Sequence, residues 1–497
     1  MVWKPDVKVS DDRTMQNTPP LTTVVPHRPI PLYGPSELYR GVRLTWMFPE
    51  NHVAAWDGFG RLLWTFESAA GGDSGSGGYR SESWAFSTGR LLLLHLRGRI
   101  TVLDGTRPKA DGTPVVLWEQ VLDDNRSSGE QPQFLQLEDR IARYSNTPAG
   151  HDRVGPPTVF GVPVISDQRL LLLDLYSGER LWELDGIAVD SRVLVERESL
   201  LVLSASARSV EVRSLIDGSL LETSRLPVWW EESCANAGSS IQDIEPEENV
   251  DTLWQVDAQG RRSVVFRVGG ESAALEARDI VTDQLLWSIS LPRNTVVSNV
   301  IEGTLAVLAE GRLLKMVNVG DGRVLVEHEI QPMADPRMLY LQQSGGRWLI
   351  LPEALSEEDP GLDDFFPLLD AVHVHGTVCA VNQQTRKLDW QQRVRHRQVR
   401  LLACNQTRPL LPAMPVLPLL SRGRASDGNG FGVVIGALVL DVRTGETVYE
   451  SDNTGRTQNQ LWLTSDYSQR EVRLSFDRRT VTLEYGEDPA EGIGQDQ

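Results

Sequence analysis

The stretch Asp174-Leu-Tyr-Ser-Gly178-Glu-Arg-Leu-Trp182 decides the reading of this chain, because it recurs. Asp279-Ile-Val-Thr-Asp283-Gln-Leu-Leu-Trp287 and Asn382-Gln-Gln-Thr-Arg386-Lys-Leu-Asp-Trp390 follow the same phrase. Asp441-Val-Arg-Thr-Gly445-Glu-Thr-Val-Tyr449 keeps the turn and exchanges Trp for Tyr. Asn318 to Val326 keeps Gly322 and loses the aromatic, and Ser214 to Glu222 keeps Gly218 with a weaker remainder. Asp57 reaches Trp64 one residue early, and Asp104-Gly105 reaches Trp118 only after an inserted segment, Arg107 to Pro114. These starts lie 47, 70, 40, 65, 39, 64 and 59 residues apart. Spacings near 40 fit one four-stranded propeller blade, and the longer ones call for loop insertions, at 119–157, 231–250 and 352–370.

The phrase has a physical reading. Asp, Asn or Ser at its start ends a strand by offering its side chain to the amides of a turn. Gly at the fifth position takes a positive φ at little cost, so a hairpin closes. Trp four residues later falls on the following strand, where a large flat ring covers the seam with a neighbouring sheet. Around the phrases lie short β-rich runs joined by polar turns, such as Arg90 to His95, Arg97-Gly98-Arg99, then Ile100 to Leu103. Thr304 to Leu308, Glu310 to Arg312 and Leu313 to Val317 repeat the arrangement. Helical periodicity is almost absent.

The phrase Asp-x-x-Thr/Ser-Gly-x-x-Leu-Trp resembles the pyrroloquinoline quinone (PQQ)-like repeat, over about residues 50–450. The resemblance implies an all-β propeller in which Trp docks one blade on the next. The expected ring has eight blades of four antiparallel strands, with seven as the runner-up because two copies are poor. It spans residues 40–485, after a proline-rich and largely irregular lead at 1–39 and before a frayed tail at 486–497. The runs Glu471 to Phe476 and Arg479 to Tyr485 are expected to complete a blade with N-terminal strands. WD40 repeats fit less well, since Gly-His…Trp-Asp pairs are not found, and kelch double glycines are missing too.

Composition narrows the function. The chain has 497 residues, 40% of them apolar, which suffices for a buried core. Its net charge of -19 argues against a phosphate-binding surface and so against nucleic acid as the main partner. Arg outnumbers Lys 44 to 5, which reads as a GC-rich, bacterial coding bias. Three cysteines, Cys234, Cys379 and Cys404, are too few for a disulfide framework and have no zinc-type spacing. Cys379, in the run Val378 to Val381, reads as a small buried hydrophobe. No stretch of 18 apolar residues predicts a transmembrane helix. The opening MVWKPDVKVSDDRTMQ lacks the apolar core of a signal peptide. A genuine start there points to the cytoplasm, and a fragment of a longer exported protein to the cell envelope.

The resemblance implies two functional classes. One is the quinoprotein dehydrogenases, which hold PQQ and calcium in the central funnel. The other is non-catalytic propellers that bind proteins. Many of the enzymes carry adjacent cysteines near the quinone, which this chain lacks, and no Cys-x-x-Cys-His haem attachment is present.

Other chemical signals read as structure. Gly72-Asp73-Ser74-Gly75 echoes a serine-protease nucleophile, yet lies in a Gly/Ser loop with no matching His context. His373 and His375 share one face of a strand; a metal would need a third ligand, and nothing marks nearby Asp370 as that ligand. The acidic stretch Glu353 to Asp370 lacks calcium-loop spacing and reads as a solvated insertion held down by Phe365 and Phe366. Trp229-Trp230 reads as core or seam packing. No catalytic or metal-binding residue is therefore assigned, and cofactor-binding residues stay undefined. The expectation is a protein-interaction scaffold without a cofactor, engaging a basic or neutral protein through its faces and insertions. The alternative is a quinoprotein oxidoreductase with PQQ and calcium.

Overall fold

The computed structural model describes most of residues 27–122, 154–230, 252–354, 371–400, 416–456 and 461–484, together with 6–11 and 133–134. The chain is a β-propeller built almost wholly of antiparallel strands, which form eight sheets. Six of them follow in chain order over 27–67, 83–121, 162–184, 192–225, 252–292 and 295–329. A seven-stranded sheet covers 336–456 and consists of two runs, 336–400 and 416–456, joined at the pair Gln398↔Leu420. The last sheet draws strands from both ends of the chain. Its three C-terminal strands lie within 461–484, and Asp6–Asp11 adds a fourth, from Asp6↔Glu484 to Asp11↔Arg479. Within the 1–39 lead, His27–Ile30 also pairs with Arg43–Met47, and Leu32–Tyr33 lies parallel to Ser83–Thr88. The inserted loops at 123–132, 135–153, 231–250 and 355–370 lie outside the described residues.

No single core holds these sheets. Most hydrophobic clusters are shared by two consecutive ones, and another joins the two runs of the 336–456 sheet. Leu44, Val53 and Trp64 of the first sheet pack with Leu92, Leu94 and Leu103 of the second. Val102 and Trp118 pack with Val164 and Leu173 of the third. The same pattern continues through 192–225 with 252–292, 252–292 with 295–329, and 295–329 with 336–400. Inner strands such as Leu91–Leu96 are buried at every position, because a neighbouring sheet covers each face. Cores of this kind require the sheets to stack side by side around an axis.

A repeated β-bulge accompanies each of the eight phrases. In the pair formed by the two strands flanking each phrase, one residue of the outer strand has no partner. Leu172↔Trp182 is followed by Leu173↔Arg180, which leaves Leu181 extra. The equivalent extra residues are Leu63, Leu117, Leu221, Leu286, Leu325, Asp389 and Val448. A bulge re-aims the next side chain. Here the next position is Trp64, Trp118, Trp182, Trp287 or Trp390, and the ring turns onto the neighbouring sheet.

There it lies across the turn of the following copy. An added Cβ would come within 2.7 Å of Trp118 at Gly178, 3.0 Å of Trp182 at Gly218, 2.6 Å of Trp287 at Gly322 and 2.5 Å of Trp390 at Gly445. Three of these indoles also donate Nε1–H to a carbonyl of that turn: Trp118 to Leu175, Trp182 to Leu215, and Trp390 to Val442. The rule holds in reverse. The outer strands carrying Glu222 and Val326 present no Trp, and the next turns carry Asp283 and Arg386 in place of Gly. Those residues keep the left-handed backbone, at φ 57° and 56°. Glycine is therefore required at the fifth position by the indole above it as well as by the turn.

Two seams without this Trp use other groups. Trp229, from the segment after Leu220–Arg225, donates Nε1–H to Asp283 Oδ1 at 2.6 Å. His328 Nε2 accepts from Leu388 N at 3.1 Å. At the first seam Tyr39 assists: its hydroxyl accepts from Gly105 N at 3.0 Å and donates to the Arg90 carbonyl at 2.8 Å.

Substitutions separate the two demands on the turn. Gly322→Ala and Gly445→Ala each drive a Cβ into an indole at positive φ, and are expected to cost roughly 2–4 kcal/mol in denaturant unfolding. Arg386→Gly removes the left-handed penalty with no indole overhead and is expected to stay within about 1 kcal/mol of wild type. Similar losses at all three positions would contradict the seam.

Candidate functional site

Two features of the described residues stand apart from the repeat's structural needs. The first is a cluster of imidazoles in the 336–400 sheet. Strand alternation puts His373 and His375 on one face, as their spacing requires. Glu353 pairs with His375 across the neighbouring strand, and its Oε1 lies 3.2 Å from His373 Nδ1. A third ring comes from the other side. Successive register shifts, between Ile350 and Glu353 and between Val374 and Gly376, disturb the ladder here. His396 adopts a φ of 42°, and its ring stacks on His373 with centroids 5.5 Å apart. The same ring lies 4.2 Å from His375, and His396 N donates to His375 Nδ1 at 3.4 Å. His375 is buried at 6% exposure, while His373 and His396 are half-buried. Among the described residues no group of three or more His, Cys, Asp or Glu side chains is arranged to hold a metal ion. Asp370 lies outside the described residues.

Sequence reasoning found His373 and His375 and missed His396 and Glu353. Both partners lie about twenty positions away along the chain and meet the pair only through strand pairing. The signal available was the hairpin turn at Asn382, which folds Leu388–Arg400 back along Ala371–Asn382.

The second feature is apolar and exposed. Leu63 (43%), Leu117 (38%), Leu181 (50%), Leu221 (62%) and Leu286 (46%) are the extra residues of five bulges. At the turn tips, Tyr176 and Ile216 are more exposed still. At these five copies the extra residue of the bulge is exposed, whereas Leu325 and Val448 at the same place are half-buried, and the bulge does not demand leucine. Asp389 occupies the same place in another copy, where its Oδ2 accepts from Arg347 Nε at 2.7 Å.

The remaining expectations fall as follows. Cys379 is fully buried, and burial pushes its thiol up to about 12. Cys234, Cys404 and the loop Gly72 to Gly75 lie outside the described residues. Trp229 and Trp230 are buried, edge to face at 6.0 Å, with Trp229 completing a seam as described. No helix among the described residues is long and apolar enough to cross a membrane.

No family model and no curated protein matches the chain. Solved structures similar to it include BamB from Moraxella catarrhalis, at 11% identity and a TM-score of 0.30, over 80% of this chain and 95% of that one. A europium-containing methanol dehydrogenase matches at 11% identity and 0.30, over 78% and 81%. Sqt1 of Saccharomyces cerevisiae matches at 10% identity and 0.35, over 91% and 100%. Likenesses at such scores carry no argument about what this chain does.

Burial makes one expectation about reactivity. Alkylation of the folded protein at pH 8 is expected to leave Cys379 unmodified, as read by peptide mass spectrometry, and to label it after denaturation. Labelling of Cys379 in the folded protein at the rate of a free thiol would contradict its position.

Proposed function

We propose that this chain is a non-catalytic propeller that binds another protein along its outer rim. The observation that carries the proposal is the set of exposed leucines at the bulges. Bulge geometry places Leu63, Leu117, Leu181, Leu221 and Leu286 in water on successive outer strands. A polar residue serves the bulge equally well, as Asp389 does. Leucine in water at repeated positions has no folding benefit, whereas it supplies the apolar contact area of a protein interface. The outer strands also carry the free edges of their sheets, where main-chain groups are open to an added strand.

The partner fitted to this surface is a protein offering apolar side chains within a basic or neutral setting. Basic groups at its margin complement a chain of net charge -19 and speed encounter. The competing function, oxidation chemistry with PQQ and calcium, would use the funnel and not the rim.

Two experiments divide these readings. A photo-crosslinking residue at position 221, in cells of the source species, is expected to give a discrete adduct with another protein. Adding Leu181→Ser and Leu286→Ser is expected to remove that adduct while each changes stability by under about 0.5 kcal/mol. Calorimetric titration with PQQ and Ca²⁺ is expected to give no saturable heat. Saturable, Ca²⁺-dependent binding near micromolar affinity, about -8 kcal/mol, with no adduct at position 221, would overturn the proposal.

A further inference from the structure

We infer that the imidazole cluster is an acid-released latch, which holds together the two runs of the seven-stranded sheet at neutral pH and loosens their joint below it.

The hydrogen bond between His396 N and His375 Nδ1 fixes the chemistry. A backbone N–H can only donate, so His375 Nδ1 must accept, and an accepting ring nitrogen carries no proton. His375 is thus held as the neutral ring with its hydrogen on Nε2. A proton added at Nδ1 turns the acceptor into a donor facing a donor. The bond is then lost, and the new charge sits on a side chain of 6% exposure.

The surroundings sharpen this response. From the strand Arg347–Ala354, Glu353 faces the cluster and is engaged with His373 Nδ1 at 3.2 Å. From Leu388–Arg400 comes the His396 ring, 4.2 Å from His375. Arg397 on the same strand pairs with Val374 and reaches Glu450 Oε1 at 3.6 Å, and Arg395 is exposed. One carboxylate therefore faces three imidazoles among the described residues. It balances one positive charge; a second imidazolium would sit in contact with the first.

The location gives the latch its effect. His396 holds a left-handed backbone that a non-glycine residue adopts only under constraint, and its N–H bond to His375 is one such constraint. Two residues further on, Gln398 pairs with Leu420, the pair that joins the 336–400 run to the 416–456 run. Releasing His396 frees the backbone that carries that joint. The opened state takes up a proton that the closed state refuses, so acid favours opening. The closed state is favoured at neutral pH and is lost as pH falls.

This inference is independent of the rim and its partner. Hydrogen–deuterium exchange of the full chain tests it, with rates corrected for the intrinsic effect of pH. Between pH 7.5 and 5.5, protection of peptides within 388–400 and 416–424 is expected to fall about tenfold. Peptides within 304–318 should hold their protection. His375→Asn keeps an acceptor at the place of Nδ1 and takes no proton, so its peptides are expected to show no pH-dependent loss. Unchanged protection in the wild type, or the same loss in His375→Asn, would overturn the inference. Should that variant fail to fold, nitrogen NMR of the wild-type imidazoles decides. The inference predicts a neutral His375 with hydrogen on Nε2 at pH 7.5, protonating as the joint opens. A His375 that is already cationic at pH 7.5, or protonates with the joint closed, would overturn it.

Discussion

The structure depends on one contact, made at four of its seams: the indole of one sheet lying across the left-handed glycine of the next sheet's turn. A propeller sheet is twisted and small, and it cannot bury both faces by itself. Its stability comes from neighbours, which is why most hydrophobic clusters here belong to two sheets. The indole closes the outer margin of that shared core. It excludes water over a broad area, and in three seams it also satisfies a turn carbonyl. Removing a buried Trp of this kind costs on the order of 3–5 kcal/mol, a large part of a typical folding free energy.

That contact explains both the regularities and the exceptions in the sequence. Within a single copy, Gly and Trp look like two features of one phrase. Physically they belong to different copies, since each Trp selects the Gly of the turn that follows. The copy Asp279 to Trp287 therefore carries Trp without Gly, and the copy Ser214 to Glu222 carries Gly without Trp. Read copy by copy, both look degenerate; read across the seam, both are regular. The strand–turn–strand order and the Asx turns were legible because they depend on local chemistry. Asp174 Oδ1 accepts from the amides of Tyr176 and Ser177, at 2.9 and 2.7 Å, and Asp279 and Asn382 repeat the pattern. The bonds from the Ser177 amide, Tyr176 amide and Ser177 hydroxyl outweigh the small desolvation and hold the Asp174 carboxyl below its usual range.

What the sequence concealed was long-range. The bulge before each Trp leaves as its trace only a residue that is leucine at four of the five and reads equally well as core. His396 and Glu353 gave no sign of joining His373 and His375, because register shifts in two ladders bring them together. The substitutes at the irregular seams, Trp229 and His328, come from outside the repeated phrase. Chemistry in this molecule thus gathers where the repeat is interrupted.

A double-mutant cycle on Trp287 and Gly322 tests the central claim most directly. The Trp287 Nε1–H is buried and meets no acceptor among the described residues, so replacing the ring strands no carbonyl. Unfolding free energies would be measured for wild type, Trp287→Leu, Gly322→Ala and the double variant. If the indole dictates the glycine, the cost of Gly322→Ala falls by more than about 1 kcal/mol once Trp287 is replaced. Costs that add to within about 0.5 kcal/mol would show that turn and ring act independently, and would contradict the seam as the organising contact.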